Sequence, residues 1–572
     1  MAGIDPEEPF DVTPYAHAMF EYFLRKPLCQ EMGRKFKIAF SSSEKDTALT
    51  FMHDLGLIPR IQTINDKPVK GFKVLIGGGL GAQPHLAITT YEFLEADLLI
   101  PYLESVLRVF ERYGERNSRH KARIKFLVQK TGIDAFNELV AAEQFALTYQ
   151  RYSVDTAKFP DSNLPTYQLP DYKLPDITPF VFDLWRNTNV LSQKQEGFVA
   201  VYVRVPNGNI SSDASRRLIT KLKDVIADDI RVTVNQGLQF RYIKPEHLTY
   251  IYDVLQGEGL AMPGFGSTAD ITSCPGTDTC NLGISNSTGT ALAFAEVIEE
   301  EFPEFLENKE VTVKISGCMN SCGQHGMASI GFHGSSLKVN GHVLPALQVL
   351  VGGAVLGSGE GRIAGKVIKV PSKRGPDVLR LILTDYKLNA GSERFAEYSN
   401  RRGDRYYYEL LKSLANLQTV TEEDFIDWGQ KENFSTAIGV GECAGVMIDL
   451  VATLILEADE KIAHSESCLL LQSWADGIYH AYAAQVHAAK ALLLQKGIQC
   501  NTQQGILKDF DKYITAEGLY TLQESFEAAV LQMNDQLPSK EFAEAYLQQA
   551  KDFIVFARKF REQSVLAEKN II

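Results

Sequence analysis

Four cysteines in two tight pairs limit what this chain can fold into more than any other feature. Cys274 and Cys280 stand in S-C-P-G-T-D-T-C-N, and Cys318 and Cys322 in S-G-C-M-N-S-C-G-Q-H. The pattern is C-x5-C, a gap of 37 residues, then C-x3-C. Gly, Pro, Asn and Ser surround each sulfur, where a packing cysteine would have apolar neighbours. Four thiolates on such backbone suit an iron–sulfur cluster, which needs chain loose enough to wrap an inorganic cube and free N–H groups aimed at the sulfurs. A structural zinc ion is the alternative, although zinc knuckles favour shorter spacings. A disulfide framework is disfavoured, because residues 1–8 are acidic and do not read as a secretory leader.

Residues 274–281 and 314–331 resemble the two cluster motifs of the siroheme-dependent nitrite and sulfite reductases, and C-M-N-S-C-G-Q-H is the closest stretch. The resemblance implies a 4Fe-4S cluster on Cys274, Cys280, Cys318 and Cys322, with Cys322 bridging to the siroheme iron. In that family a ferredoxin-like half carrying two pocket arginines precedes the segment that resembles A-G-I-D-P at residues 2–6. The sequence is therefore expected to be an N-terminally incomplete version of the family pattern.

Composition is compatible with this. A chain of 572 residues with 45% hydrophobic content can furnish several cores, and a formal net charge of −13 argues against a nucleic-acid-binding surface. Eight cysteines without a leader point to a reducing cytoplasm. Cys29, Cys443, Cys468 and Cys500 have no ligand spacing and read as small buried hydrophobes. Residues 436–456 are apolar enough to suggest a membrane span, but they contain Glu442 and Asp449. An Asp near the centre of a spanning helix costs about 2.5–3.5 kcal/mol, so a buried soluble helix is expected and no membrane contact.

The expected fold class is α+β: duplicated reductase α/β modules with a ferredoxin-like half-domain, followed by an all-α bundle. Residues 1–150 form the first module, with strands at 36–40 and 72–76 and helices near 48–55, over 91–113 and from His120 onward. Residues 151–196 are a linker or draped arm punctuated by Pro160, Pro165, Pro170, Pro175 and Pro179. Residues 197–262 alternate as strand, helix, strand, strand, helix, half of a ferredoxin-like layer. Residues 263–415 form the second module, with the cluster cysteines, and 433–572 are helical. An internal repeat supports the duplication: K-F-K-I at residues 35–38 precedes V-L-I-G-G-G, and V-K-I-S at 313–316 precedes V-L-V-G-G-A. Lys37 and Lys314 are paired in that reading, 40 and 38 residues before Gly77 and Gly352.

Lys35 and Lys37 lie two apart on the first strand and share a face. An anion such as sulfite or nitrite needs fixed positive charge to bind and to receive protons as its oxygens leave. The resemblance places the family's pocket lysines here, and Lys37 favours sulfite, because plant-type nitrite reductases tend to carry Asn at that position. Gly77, Gly78 and Gly79 invite a dinucleotide reading, but Pro84 follows and no acidic residue ends a second strand, so their N–H groups are expected to serve siroheme carboxylates. Arg116, Arg119 and Arg123 are expected on one helical surface as carboxylate partners, since siroheme cannot be buried without many donors. Arg204, Asn235 and Gln236 are weaker candidates of the same kind. Asn320 and His325 are expected beside the cluster.

The last 140 residues resemble a HEPN helical bundle, but no R-x4-H nuclease motif is present in this region, so partner docking or oligomerisation is expected. The whole reads as a cytoplasmic reductase converting sulfite to sulfide, with nitrite to ammonia as the alternative. Its electrons would come from a separate ferredoxin or flavoprotein. The reading of another class is a non-catalytic siroheme and iron–sulfur scaffold.

Overall fold

Two hairpins of identical construction organise the first four hundred residues of this computed structural model. The structure describes residues 1–434 and 450–569, apart from 31, 117, 159–162, 174–176, 499 and 501. The chain divides into two units, Met1–Ile438 and Gly439–Ile572.

In the first module, β1 (Ile38–Phe40) runs parallel to β2 (Leu55–Ile64), which turns back as β3 (Lys67–Ile76) and pairs with β4 (Ile88–Glu95), in the order β1-β2-β3-β4. The β2–β3 turn places Asn65 and Asp66 at φ 51° and 59°, the paired left-handed residues that a two-residue hairpin needs. The helix Leu99–Tyr113 covers the sheet and buries Tyr102, Leu103, Val106 and Phe110 against Phe72, Val74 and Ile76.

The half-domain sheet is β5 (Val190–Ser192), β6 (Val199–Val203), β7 (Ile230–Val232) and β8 (Leu238–Ile243), in the order β5-β6-β8-β7, with helices Ser212–Leu222 and Leu248–Gly257. The arm before it lies against this sheet's chain. Tyr167 donates its N–H to Asp224 O at 2.9 Å and its hydroxyl to Tyr242 O at 2.9 Å.

The second module repeats the first. β9 (Thr272–Ser273) and β10 (Val313–Ser316) lead into β11 (Ile330–Val339), β12 (His342–Val351), the small hairpin β13 (Ala354–Gly357) with β14 (Glu360–Arg362), and β15 (Gly365–Pro371). The sheet order is β15-β12-β11-β10-β9. Ile38 pairs with Leu55 as Val313 pairs with Ile330, and the hairpins run from Leu55 against Ile76 and from Ile330 against Val351. Asn340 and Gly341 close the second hairpin with the same left-handed pair. The modules also clasp each other: Phe51, Ile58 and Leu75 of the first form one apolar cluster with Met327 of the second, and Leu80, Leu86 and Ile363 pack on it.

The α+β class and the duplication are borne out. The repeat is offset from the sequence expectation, however. Lys37 O accepts Leu55 N–H just as Thr312 O accepts Ile330 N–H, so Lys37 corresponds to Thr312 and not to Lys314. Four local expectations are corrected. Strand β1 begins at Ile38, leaving Lys35 and Lys37 in an extended lead-in. Residues 48–55 form a 3-10 turn, Thr50–Met52, and not a helix, because Leu49 takes φ 56°. The first part of 91–113 is strand β4, rich in Thr, Tyr and Phe, and the helix starts only at Leu99 with Pro101 in its first turn. Pro179 does not continue the arm but opens the helix Pro179–Asn189, where its missing N–H is harmless.

The second unit is helical: Leu450–Leu470, Trp474–Gln495, Gln503–Phe510, Phe526–Leu531 and Lys540–Lys569. Ala481, Ala484, Ala488 and Ala489 form a small-residue stripe that lets the helices approach, and Phe510, Phe526 and Phe553 fill the rest of the core. The glycine-rich run around Cys443 and most of 436–456 lie outside the described residues. No helix among the described residues is long and apolar enough to cross a membrane.

Candidate functional site

The four cysteines converge because β9, β10 and β11 are neighbours. Cys274 follows β9, Cys318 stands two residues beyond β10, and Gly317 N–H donates to Cys274 Sγ at 3.1 Å. Burial pushes the Cys318 thiol up to about 11. The N–H of Asn320 opposes this, and the nearby Cys322, Cys274 and Cys280 add to it. Cys322, although exposed as a residue, is raised first by partial burial of its thiol and then by Cys274, while Lys35 and Lys37 pull it down. The thiols are thus within electrostatic reach of one another. Yet among the described residues no three His, Cys, Asp or Glu side chains gather tightly enough to hold a single metal ion. In the same loop Asn320 Oδ1, Gln324 Oε1 and His325 Nδ1 are buried without a protein partner, where buried polar atoms normally have one. The donor set and this cradle fit a 4Fe-4S cluster. All seven described cysteines are free thiols, and of the four ligand candidates Cys322 is the exposed one.

Lys35 and Lys37 lie within electrostatic reach of that thiol. Gly33, Lys35 and Lys37 are exposed while Arg34 and Phe36 are half-buried, so the lead-in alternates as a strand would. Lys37 N–H donates to Asp54 Oδ2 at 2.8 Å. Although the residue as a whole is exposed, partial burial of its amine holds Lys37 below the usual lysine range, Lys35 and Arg123 push it further down, and Cys322 and Asp54 oppose. Arg123 grips Asp54 through Nε to Oδ1 at 3.0 Å and Nη2 to Oδ2 at 2.6 Å. Lysines, arginine, carboxylate and the Cys322 thiol therefore form one electrostatic group.

The other candidates are placed differently from expectation. Gly77, Gly78 and Gly79 donate their N–H groups to Asp54 O, His53 O and His85 O at 2.9–3.0 Å, so the loop offers close approach and not free donors. Lys125, which the sequence reading missed, fixes that loop. Its buried ammonium donates to Gly79 O, Leu80 O and Gln83 O at 3.2, 3.0 and 2.6 Å. Arg116, Arg119 and Arg123 do not share a helix. The helix ends at Tyr113, Arg119–Lys121 is a 3-10 turn, and the next helix starts at Ile124. Arg116 folds back on the helix end, with Nη2 donating to Phe110 O at 2.8 Å and its guanidinium 5.0 Å above the Phe110 ring. Arg119 is exposed.

Arg204 is buried and donates to Pro263 O and Ala269 O at 2.6 Å each, with Glu299 at 3.0 Å. Gln236 clamps Ser273, the residue before Cys274, by two bonds of 2.7 and 3.0 Å. Asn235 Nδ2 lies 3.4 Å from Asp270 Oδ2. Gln236 of the half-domain thus braces the start of the cysteine loop. His325 is buried against His333, ring centres 4.9 Å apart, and burial followed by His333 lowers its pKa to about 3, so its imidazole is neutral.

Four thiols beside a lysine pair, on a duplicated module joined to a ferredoxin-like half-domain, define a class of iron–sulfur reductase. Residues 1–147 match the family model of the nitrite and sulphite reductase 4Fe-4S domain, and residues 191–257 that of the nitrite/sulfite reductase ferredoxin-like half domain. The ferredoxin–nitrite reductase of Synechococcus elongatus is 26% identical over 399 residues, 67% of this chain and 70% of that protein. The ferredoxin sulfite reductase of Mycobacterium tuberculosis is 25% identical over 407 residues, 70% of this chain and 67% of that one. The solved structure of the Mycobacterium tuberculosis NirA protein shares the fold, with a TM-score of 0.57 and 24% identity over 71% of this chain and 70% of that chain. These matches support the siroheme and 4Fe-4S nitrite and sulfite reductase family, and through it both cofactors. It spans 59% of the length of the chloroplastic ferredoxin–nitrite reductase of Zea mays and 50% of the NADPH sulfite reductase hemoprotein of Lysinibacillus sphaericus.

Proposed function

We propose that the protein is an oxidoreductase of the reducing cytoplasm that converts sulfite to sulfide with electrons from a separate carrier such as ferredoxin. The overall change is SO3²⁻ + 6 e⁻ + 7 H⁺ → HS⁻ + 3 H2O. The observation that carries this reading is the pairing of Lys35 and Lys37 with Cys322 in one electrostatic group. When bound, siroheme and the cluster supply the electrons and the iron at which the anion is reduced. Cys274, Cys280, Cys318 and Cys322 hold the cluster. Lys35 and Lys37 bind the anion by charge and deliver protons to its departing oxygens, and Lys37, held below the usual lysine range, is the readier donor. Lys125 keeps the glycine loop close to the cysteine loop, where Gly81 lies near Asn320 O.

The helical unit, which the sequence likens to a HEPN bundle, is assigned to association with a partner or a second copy. Leu470, Leu471 and Leu537 are each more than 80% exposed there.

The test is the protein made in a host supplied with siroheme and iron. Porphyrin-type absorption, about four irons beyond the siroheme iron, and sulfide release with reduced methyl viologen are expected, and Cys322→Ser should uncouple the two centres magnetically. Preparations holding zinc and no iron would sink the cluster assignment. Nitrite turnover in place of sulfite turnover would move the substrate to nitrite.

A further inference from the structure

Asp54 is a carboxylate with no side-chain exposure at the threshold of β2. Its Oδ2 takes the Lys37 N–H, Arg123 binds both of its oxygens, and its carbonyl oxygen accepts Gly77 N–H at 3.0 Å. The second module builds the same corner without charge. There Ser329 Oγ accepts Thr312 N–H at 3.1 Å, and Ser329 O accepts Gly352 N–H at 2.9 Å. The corner therefore needs an acceptor but not an ion. Burying a carboxylate is unfavourable unless it is matched by a partner, and the match here is the half-buried Arg123. Only the module that carries the pocket lysines has this ion pair.

We propose that Asp54, with Arg123 as its counter-charge, is a positioning residue that fixes Lys37 for the anion. It acts through the Lys37 backbone and touches neither substrate nor cofactor. Arg123, which the sequence assigns to siroheme carboxylates, is on this view a support for Asp54. The inference rests on the proposed role of Lys37 in anion binding. A lysine displaced by as little as 1 Å loses much of its effect on a bound anion, and a two-oxygen clamp resists that displacement better than a single hydroxyl.

The experiment is a sulfite titration of the cofactor-loaded full-length protein, followed by siroheme absorbance, with cofactor content measured on each sample. Asp54→Ser copies the second module, and Asp54→Asn keeps shape and one acceptor should the serine variant fail to fold. The variant is expected to keep its siroheme and iron, to weaken sulfite binding roughly 10- to 100-fold, and to make a further Lys37→Ala change nearly silent, as coupled residues do. Sulfite binding that falls with Lys37→Ala but not with Asp54→Ser or Asp54→Asn would overturn the positioning role alone. Binding indifferent to Lys37→Ala would overturn the lysine reading itself. Loss of siroheme in step with the Asp54 change would return Arg123 and Asp54 to cofactor binding and also overturn the proposal.

Discussion

Leu49 and Gln324 take the same left-handed turn, at φ 56° and 63°, each immediately ahead of a 3-10 turn, Thr50–Met52 in one module and His325–Met327 in the other. The cluster loop thus has a twin in the first module. Counted back from these residues, Ser43 and Thr47 occupy the places of Cys318 and Cys322. Ser42 and Ser43 turn their hydroxyls to Asp5 at 2.6 and 3.0 Å. One backbone design thus carries thiols in one module and hydroxyls bound to Asp5 in the other.

The twin loops make Gly323 a sharp test. Its counterpart is Ala48, but a Cβ on Gly323 would stand 1.9 Å from Ile315 O. Gly323→Ala should therefore push the Cys322 segment outward and lose cluster iron while the rest of the fold persists. Iron content and far-ultraviolet circular dichroism measure the two effects, and full iron occupancy would show that the loop can yield.

Lys35→Ala and Lys37→Ala should each slow anion reduction on the order of 100–1000-fold, the usual cost of removing one preorganised group at an oxyanion site. Cofactor absorbance should not change, because neither side chain is a ligand. Unchanged sulfite and nitrite turnover in both variants would make them surface lysines.

Local signals were legible in the sequence and long-range ones were not. Each cysteine pair, the K-x-K lead-in and each glycine turn is a pattern within ten residues, and the structure brings Cys322, Lys35 and Lys37 within electrostatic reach of one another. Asp54 went unnoticed because its meaning lies in Arg123, 69 positions away, and Lys125 because its three acceptors are carbonyls 42 to 46 residues earlier. The run of arginines suggested one helix because spacing alone cannot show that the chain turns at Gly114, whose N–H closes the preceding helix on Phe110 O.

Arg116 separates the two views of that run. Its bonds to Phe110 O and Glu111 make it a cap on the helix C-terminus, where a cation contributes about 0.3–1 kcal/mol. Arg116→Ala should lower the melting temperature slightly and leave siroheme content intact. A loss of siroheme at unchanged stability would restore the carboxylate role.

The helical unit has its own core, from Ala458 to Ala557, and the four cysteines and both glycine turns all lie before residue 432. A chain cut at residue 432 should therefore keep the cluster spectrum and its sulfite-induced absorbance change. It should differ instead in mass by light scattering or in capture of a partner, because an added bundle with exposed leucines most often serves association. Siroheme lost on truncation, at matched protein concentration, would mean that the helices close the cofactor site, and the association role would fall with it.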